Sequence, residues 1–328
     1  MTPKQIALLV GTAFWWGAAY VFAALALEGF SPILLVALRL VLASLALIAA
    51  LEAFGGGVRD AIELLRSRPG PVVLLAVTAS AGPFGLITSG QQHVPAGTTG
   101  VLIATVPLWT ALLGIWLDRH EAVGRRQAAG LFVGIVGVGL VVGFETVDSA
   151  EQVVGAGLIL LGACCVALGN FVARRMFSND PPLTRALTTS AVAAVVLSPA
   201  AAATGHVELA VKPVVGLIGL ALGSTALLLV LTFRLIDAVG PRRASLSAYL
   251  APGFALLLAA IVLGEAITAA AVGGLALIVG GVVLASRPAP VPVEVAAAEV
   301  TRSAEPYSPR LPPGSGPGSP PNPRPSAR

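Results

Sequence analysis

Charge is scarce in this chain, and so are most residues on which enzyme chemistry depends. Lysine, arginine, aspartate and glutamate make up 11% of the 328 residues, under half the ~25% usual for soluble domains. Hydrophobic residues fill 56% and the mean hydropathy is +0.90, an apolar excess that no soluble core absorbs. The three histidines, His93, His120 and His206, sit between apolar runs or at their ends. With no HExxH, no GxSxG and no paired intramembrane carboxylates, a membrane-embedded enzyme is not expected. Cys164 and Cys165 are adjacent inside an apolar run, which excludes both a disulfide framework and metal-ligand spacing; they read as small apolar residues. No catalytic residue, metal site or cofactor is expected. The net charge of +4 is spread between the apolar runs instead of gathered in one patch, so nucleic acid is not an expected partner.

What is present is a series of uncharged runs near 20 residues, the length that crosses a ~30 Å hydrocarbon layer at 1.5 Å per residue. Ten spans are expected, at about 5–27, 32–54, 70–92, 97–117, 127–144, 153–173, 184–204, 213–234, 241–263 and 267–285. Between 55 and 70, Val58, Ile62 and Leu65 share a face and predict a short surface helix. The apolar stretch Ile6 to Leu27 is too long for the ~7–15-residue core of a cleaved signal. If the N-terminus is cytoplasmic, 18 lysines and arginines fall inside and only Lys212 outside, with Arg39 left within a span. That asymmetry predicts a multi-pass protein of the cell membrane with both termini in the cytoplasm.

Two stretches organise the chain. The run from Gly97 to Leu117 carries Pro107 at its middle, and the run from Gly240 to Leu263 carries Pro252 near its centre, 145 residues on. A helix-interior proline removes a backbone hydrogen bond, yet bundled membrane helices tolerate it because neighbours satisfy the freed carbonyl. Interrupted spans in corresponding positions of two halves point to a transporter's central site. Five spans per half means that the second half enters the membrane upside down. The expected fold is therefore an all-α integral membrane protein, ten transmembrane helices as two inverted five-helix repeats. Residues 1–146 form the first repeat, 147–285 the second, with the joint at Glu145 to Glu151. Residues 286–328, which hold 12 of the 25 prolines, form a disordered cytoplasmic tail.

Trp16-Gly17 in the first span, Ser31-Pro32 followed by Arg39, the prolines of spans 4 and 9, and Leu263-Gly264-Glu265 closing span 9 resemble the EamA-type transporters of the drug/metabolite transporter superfamily. The resemblance covers about residues 5–285. The first half departs from it, reading Leu117-Asp118-Arg119-His120-Glu121 where the family often has Leu-Gly-Glu. The resemblance implies export or exchange of small metabolites by alternating access, without implying a substrate; the function expected here is transport of a small organic metabolite, an amino acid or related compound, across the cytoplasmic membrane. The partners implied are that small molecule and the lipid bilayer, with the protein a monomer or homodimer.

Candidate residues for the transport path follow from depth and polarity. Trp16 and Tyr20 are four apart on one helix face, and Trp16 lies ~15 Å deep, too deep for an interfacial belt; a pocket wall and plain helix packing both account for it. Trp109, two residues past Pro107, carries the same pair of readings, whereas Trp116 reads as a belt residue. Arg39 is the one full charge well inside a span, costly and functional by default. Either it snorkels or ties neighbouring carbonyls, or it lines a wet cavity and attracts a carboxylate or phosphate. Gln91 ends span 3 at the outer face; Asn170 and Tyr249 are hydrogen-bonding groups within spans. Pro83 adds a kink in span 3, with Gly223-Ser224 opposite it and no second proline. No Asp or Glu stands deep in any span, so the carboxylate relay of a proton-coupled multidrug exporter is not visible; coupling through Glu265, Glu121 or His93 at the edges is the remaining route. The polar filter of a channel is missing as well, and a non-transporting scaffold is the third alternative.

Overall fold

The computed structural model describes residues 1–53, 57–117, 125–145 and 149–285. The expected tail at 286–328, the Asp118 to Glu121 segment and the centre of the joint between halves lie outside the described residues. The helices are α1 (Pro3–Leu27), α2 (Pro32–Ala53), α3 (Val58–Ser67), α4 (Pro69–Ala76), α5 (Gly82–Gly90), α6 (Ala96–Ile103), α7 (Val106–Leu117), α8 (Arg125–Glu145), α9 (Ala150–Met176), α10 (Pro182–Thr204), α11 (Val211–Ile218), α12 (Leu228–Val239), α13 (Pro241–Ala244), α14 (Leu246–Leu258) and α15 (Ala269–Ala285). Wide π-helical turns join α4 to α5 at Val77–Ala81 and α11 to α12 at Gly219–Leu227, and a third, Ala259–Leu263, follows α14. Among the described residues the only strand-like pairing is one isolated bridge, Phe30 to Val207.

The protein is an all-helical membrane protein. Among the described residues, nine helical rods of at least 18 residues are apolar enough to cross a bilayer, and α15 is a shorter apolar helix of 17 residues. Their ends follow from local chemistry. Thr2 and Gln5 form a reciprocal capping box in front of α1, with Pro3 in the first turn, where a missing amide costs nothing. The surface helix α3 buries Ala61 and Leu64 and leaves Ile62 exposed.

Packing relates the two halves by exchange of equivalents. α1 packs on the α11–α12 rod as α9 packs on the α4–α5 rod; α1 meets α14 as α9 meets α6 and α7; and α2 pairs with α10, α8 with α15. The loops repeat the pattern. At the end that carries Glu28, Glu208 and Glu265, the Ser31 amide donates to the His206 carbonyl at 3.1 Å and Lys212 pairs with Glu28 at 2.5 Å. At the opposite, arginine-rich end, Arg68 reaches the Met176 carbonyl at 2.7 Å and the Asp180 carboxylate at 2.6 Å. We refer to these as the acidic end and the arginine end.

The two proline-bearing spans are interrupted differently. The first breaks just ahead of Pro107: Ala104 and Thr105 donate to carbonyls three residues back, and α7 restarts at Val106. Pro107 therefore occupies a first helical turn, where it is tolerated. The second span runs unbroken through Pro252, which is buried inside α14; its irregularities lie at Ser245 and in the π-helical turn that ends at Gly264.

Candidate functional site

α1 carries the face around which the site is built. At Gly17 a side-chain carbon would fall 2.6 Å from the Ala251 carbonyl oxygen and 2.7 Å from the Ala255 nitrogen, so glycine lets α1 and α14 meet backbone to backbone. A turn further along, Tyr20 is buried over Gly100 of α6, among Ala96, Ala255 and Ala259. Small residues on α6 and α14 make the space that this ring fills. Trp16, four residues before Tyr20 on the same helix, is only half-buried. Its neighbour Trp15 turns the other way, stacking on Phe22 with centroids 6.1 Å apart and facing Gly223.

Arg39 enters from α2. Its side chain is 8% exposed; its Nε donates to the Thr225 hydroxyl at 2.8 Å, and its guanidinium sits 4.0 Å from the centroid of Phe84. Tyr20 is the ionisable group that shares its electrostatic environment, and no described carboxylate pairs with it. The Nη groups have no hydrogen-bond partner among the described residues. The acceptor is itself a product of the π-helical turn. Thr225 donates back five residues to the Leu220 carbonyl at 2.8 Å, a bond that an ordinary helical turn does not align, and this fixes the hydroxyl to receive Arg39. Such turns concentrate at functional positions. Beside it, the Ser224 hydroxyl is buried without a partner. Gln91, at the end of α5, is also buried; its amide donates to the Tyr20 carbonyl at 2.5 Å, while its Oε1 is unsatisfied.

At the acidic end of this region a carboxylate joins α14's chain to α6. Gly264 takes the left-handed conformation at φ 72°, which reverses the chain after the third π-helical turn. Glu265 then accepts from the Ala96 and Gly97 amides at 2.7 and 2.8 Å. These are the first free amides of α6, where the helix dipole favours a negative charge. A cleft of about 240 Å³, lined in part by Pro95, Thr98, Leu256 and Thr268, lies beside the carboxylate. Toward the arginine end the helices diverge: α14 packs on α6, whereas α7 packs chiefly on α9 and has no comparable contact with α14.

Of the residues singled out from the sequence, Trp16, Tyr20, Arg39 and Gln91 thus converge. Pro107 and Trp109 are half-buried on α7, Tyr249 is half-buried on α14 beside the cluster that contains Val101 and Leu108, and Pro252 faces protein. Asn170 is exposed on α9 and does not join them. Phe84 and Thr225 escaped sequence reasoning because a phenylalanine or threonine in a span is unremarkable. The available signal was position: Phe84 follows the Pro83 kink and Thr225 follows Gly223-Ser224, the matching point of the other half.

The EamA-like transporter family model matches twice, over residues 3–143 and 153–287. The chain is 27% identical to the "Probable terminal-alkyne amino-acid exporter" of Streptantibioticus cattleyicolor over 87% of this chain and 94% of that protein. It is 28% identical to the "Uncharacterized inner membrane transporter YedA" of Escherichia coli K12, over 87% and 92%. A crystal structure 20% identical in sequence superposes with a TM-score of 0.61, over 87% of this chain and 97% of the other, and so shares the fold. The chain, matched in both halves, belongs to the EamA-like transporter family.

Proposed function

We propose that this protein moves a small organic metabolite, an amino acid or a close relative, across the cytoplasmic membrane by alternating access between two inverted halves, residues 1–146 and 147–285. The observation that carries the reading is the unequal closure of the two interrupted spans. α6 and α14 are clamped together at the acidic end by Glu265, while α7 leaves α14 toward the arginine end. With the arginine end cytoplasmic, as the charge asymmetry supports, this is a carrier shut to the outside and open to the inside. Trp16, Tyr20 and Arg39 are the residues that this reading assigns to its transport path. The likeness to an amino-acid exporter supports the substrate size and class, and export or exchange as the direction.

Purified protein in proteoliposomes preloaded with unlabelled L-leucine is expected to accumulate labelled L-leucine, saturably, by counterflow. A linear, non-saturating leak would replace the carrier with a pore. Reporter fusions at Arg125 and Lys212 are expected on opposite sides of the membrane; both on one side would dismantle the inverted arrangement.

A further inference from the structure

We infer that the substrate is recognised through a single carboxylate, received end-on by the two Nη groups of Arg39, and that its amino group is not read by any charge. This rests on the transport reading above and names the chemistry that the same site selects.

The argument begins with the cost of Arg39. A lone cation in a membrane span needs compensation, and what the protein supplies is partial. Phe84 covers one face of the guanidinium at 4.0 Å and Thr225 takes Nε at 2.8 Å. Neither neutralises the charge, and among the described residues no carboxylate does so. Snorkelling is blocked as well, because Nε is held by a hydroxyl that is itself tethered to the Leu220 carbonyl. The Nη edge is left without a partner, yet neither Nη is among the fully enclosed unsatisfied atoms, which are Gln91 Oε1, Gln152 Oε1 and Ser224 Oγ. A charge held on one edge and one face, with its remaining donors reachable, is arranged to receive an anion.

The charge balance selects which anion. One guanidinium and one carboxylate form a neutral, bidentate pair. A phosphate monoester, carrying close to two negative charges, would leave one uncompensated in a low-dielectric site. A substrate ammonium would meet the rings of Trp16, Tyr20 and Phe84 but no acid. Removing or acylating the amino group should therefore be tolerated, and removing the carboxylate should not.

The test is counterflow in proteoliposomes of the full chain with labelled L-leucine, N-acetyl-L-leucine, 4-methyl-2-oxopentanoate, L-leucinamide, 3-methylbutylamine and glycerol 3-phosphate. The three carboxylates are expected to move and the amide, amine and phosphate ester to be excluded. In Arg39→Gln the half-saturation concentration for the carboxylates should rise about tenfold to a hundredfold, with partial recovery in Arg39→Lys. Phe84→Leu and Thr225→Val, which loosen the guanidinium without removing it, should give smaller losses, and folded yield is followed by size-exclusion chromatography. Movement of the amide or amine as readily as the acids overturns the assignment and leaves the carrier intact. Preference for the phosphate ester overturns the choice of carboxylate. Movement of no probe overturns the assignment together with the transport reading.

Discussion

Of the helix pairs that join the halves of this protein through equivalent helices, two are built in opposite ways. Where α8 crosses α15, a side-chain carbon on Gly281 would fall 2.5 Å from the Gly130 carbonyl oxygen and 2.6 Å from the Gly134 nitrogen, and one on Gly137 would fall 2.9 Å from the Gly274 oxygen. Backbone lies on backbone, the small-residue packing that membrane helices use for close association. Neither helix contains proline. The other pair, α6–α7 against α14, carries Pro107, Pro252, a helix break and a π-helical turn, and its closure rests on Tyr20, alanines and one carboxylate. The contrast teaches where motion is cheap. Ridge-free glycine contact offers no alternative packing, whereas a pair packed through small side chains, with one carboxylate as its polar clamp and interrupted along its length, is the one built to part.

The comparison breaks most visibly if the glycine crossing is disposable. Gly281→Leu is expected to abolish folded protein, because overpacking that typically costs ~1–3 kcal/mol is here directed at backbone that cannot move aside; monodisperse protein at wild-type yield would show that the crossing is not the fixed element. A subtler change addresses the hinged pair. Glu265→Gln removes the charge and one of two amide contacts, worth about 1–2 kcal/mol, without touching the core. In a variant with Cys164 and Cys165 replaced by alanine, labelling of Thr98→Cys by a membrane-impermeant maleimide should rise roughly tenfold; unchanged labelling would mean that Glu265 does not hold the acidic end shut. The smallest effect is expected at Trp116, 80% exposed on α7. Trp116→Ala should leave counterflow unchanged and shift stability by no more than about 0.5 kcal/mol, and a collapse of flux would mean that the diverging end of α7 works through contacts of its own.

Much of this architecture was legible because lipid imposes simple rules. Charge-free runs gave the rods, and the spacing of Pro107 and Pro252 pointed to the hinged pair. The manner of the interruptions was not legible. Proline marks where a helix loses a hydrogen bond, but whether the chain breaks, as ahead of Pro107, or bends through, as at Pro252, depends on what neighbours satisfy the freed carbonyls. The same holds for the site. Arg39 stood out by its charge, and Trp16 and Tyr20 by depth and spacing. Their partners did not, because the geometry that makes Thr225 an acceptor arises from a π-helical turn that no proline announces. Glu265 was visible as the end of a motif, but its bond to α6 spans 169 residues of sequence and is a property of the assembled halves.

That turn also acts as a ruler. Gly219–Leu227 winds more residues into each revolution than an ordinary helix, so shortening the segment by one lets it rewind to the common pitch and keeps the later side chains of the rod near their present faces, whereas the same deletion in an ordinary turn would swing them by about 100°. What such a deletion removes is the five-residue bond from Thr225 to the Leu220 carbonyl that fixes the hydroxyl toward Arg39, while α12 keeps its flank to α1. In the proposed carrier, the number of residues between Gly219 and Leu227 therefore bears on the candidate site as directly as the identity of Thr225 does.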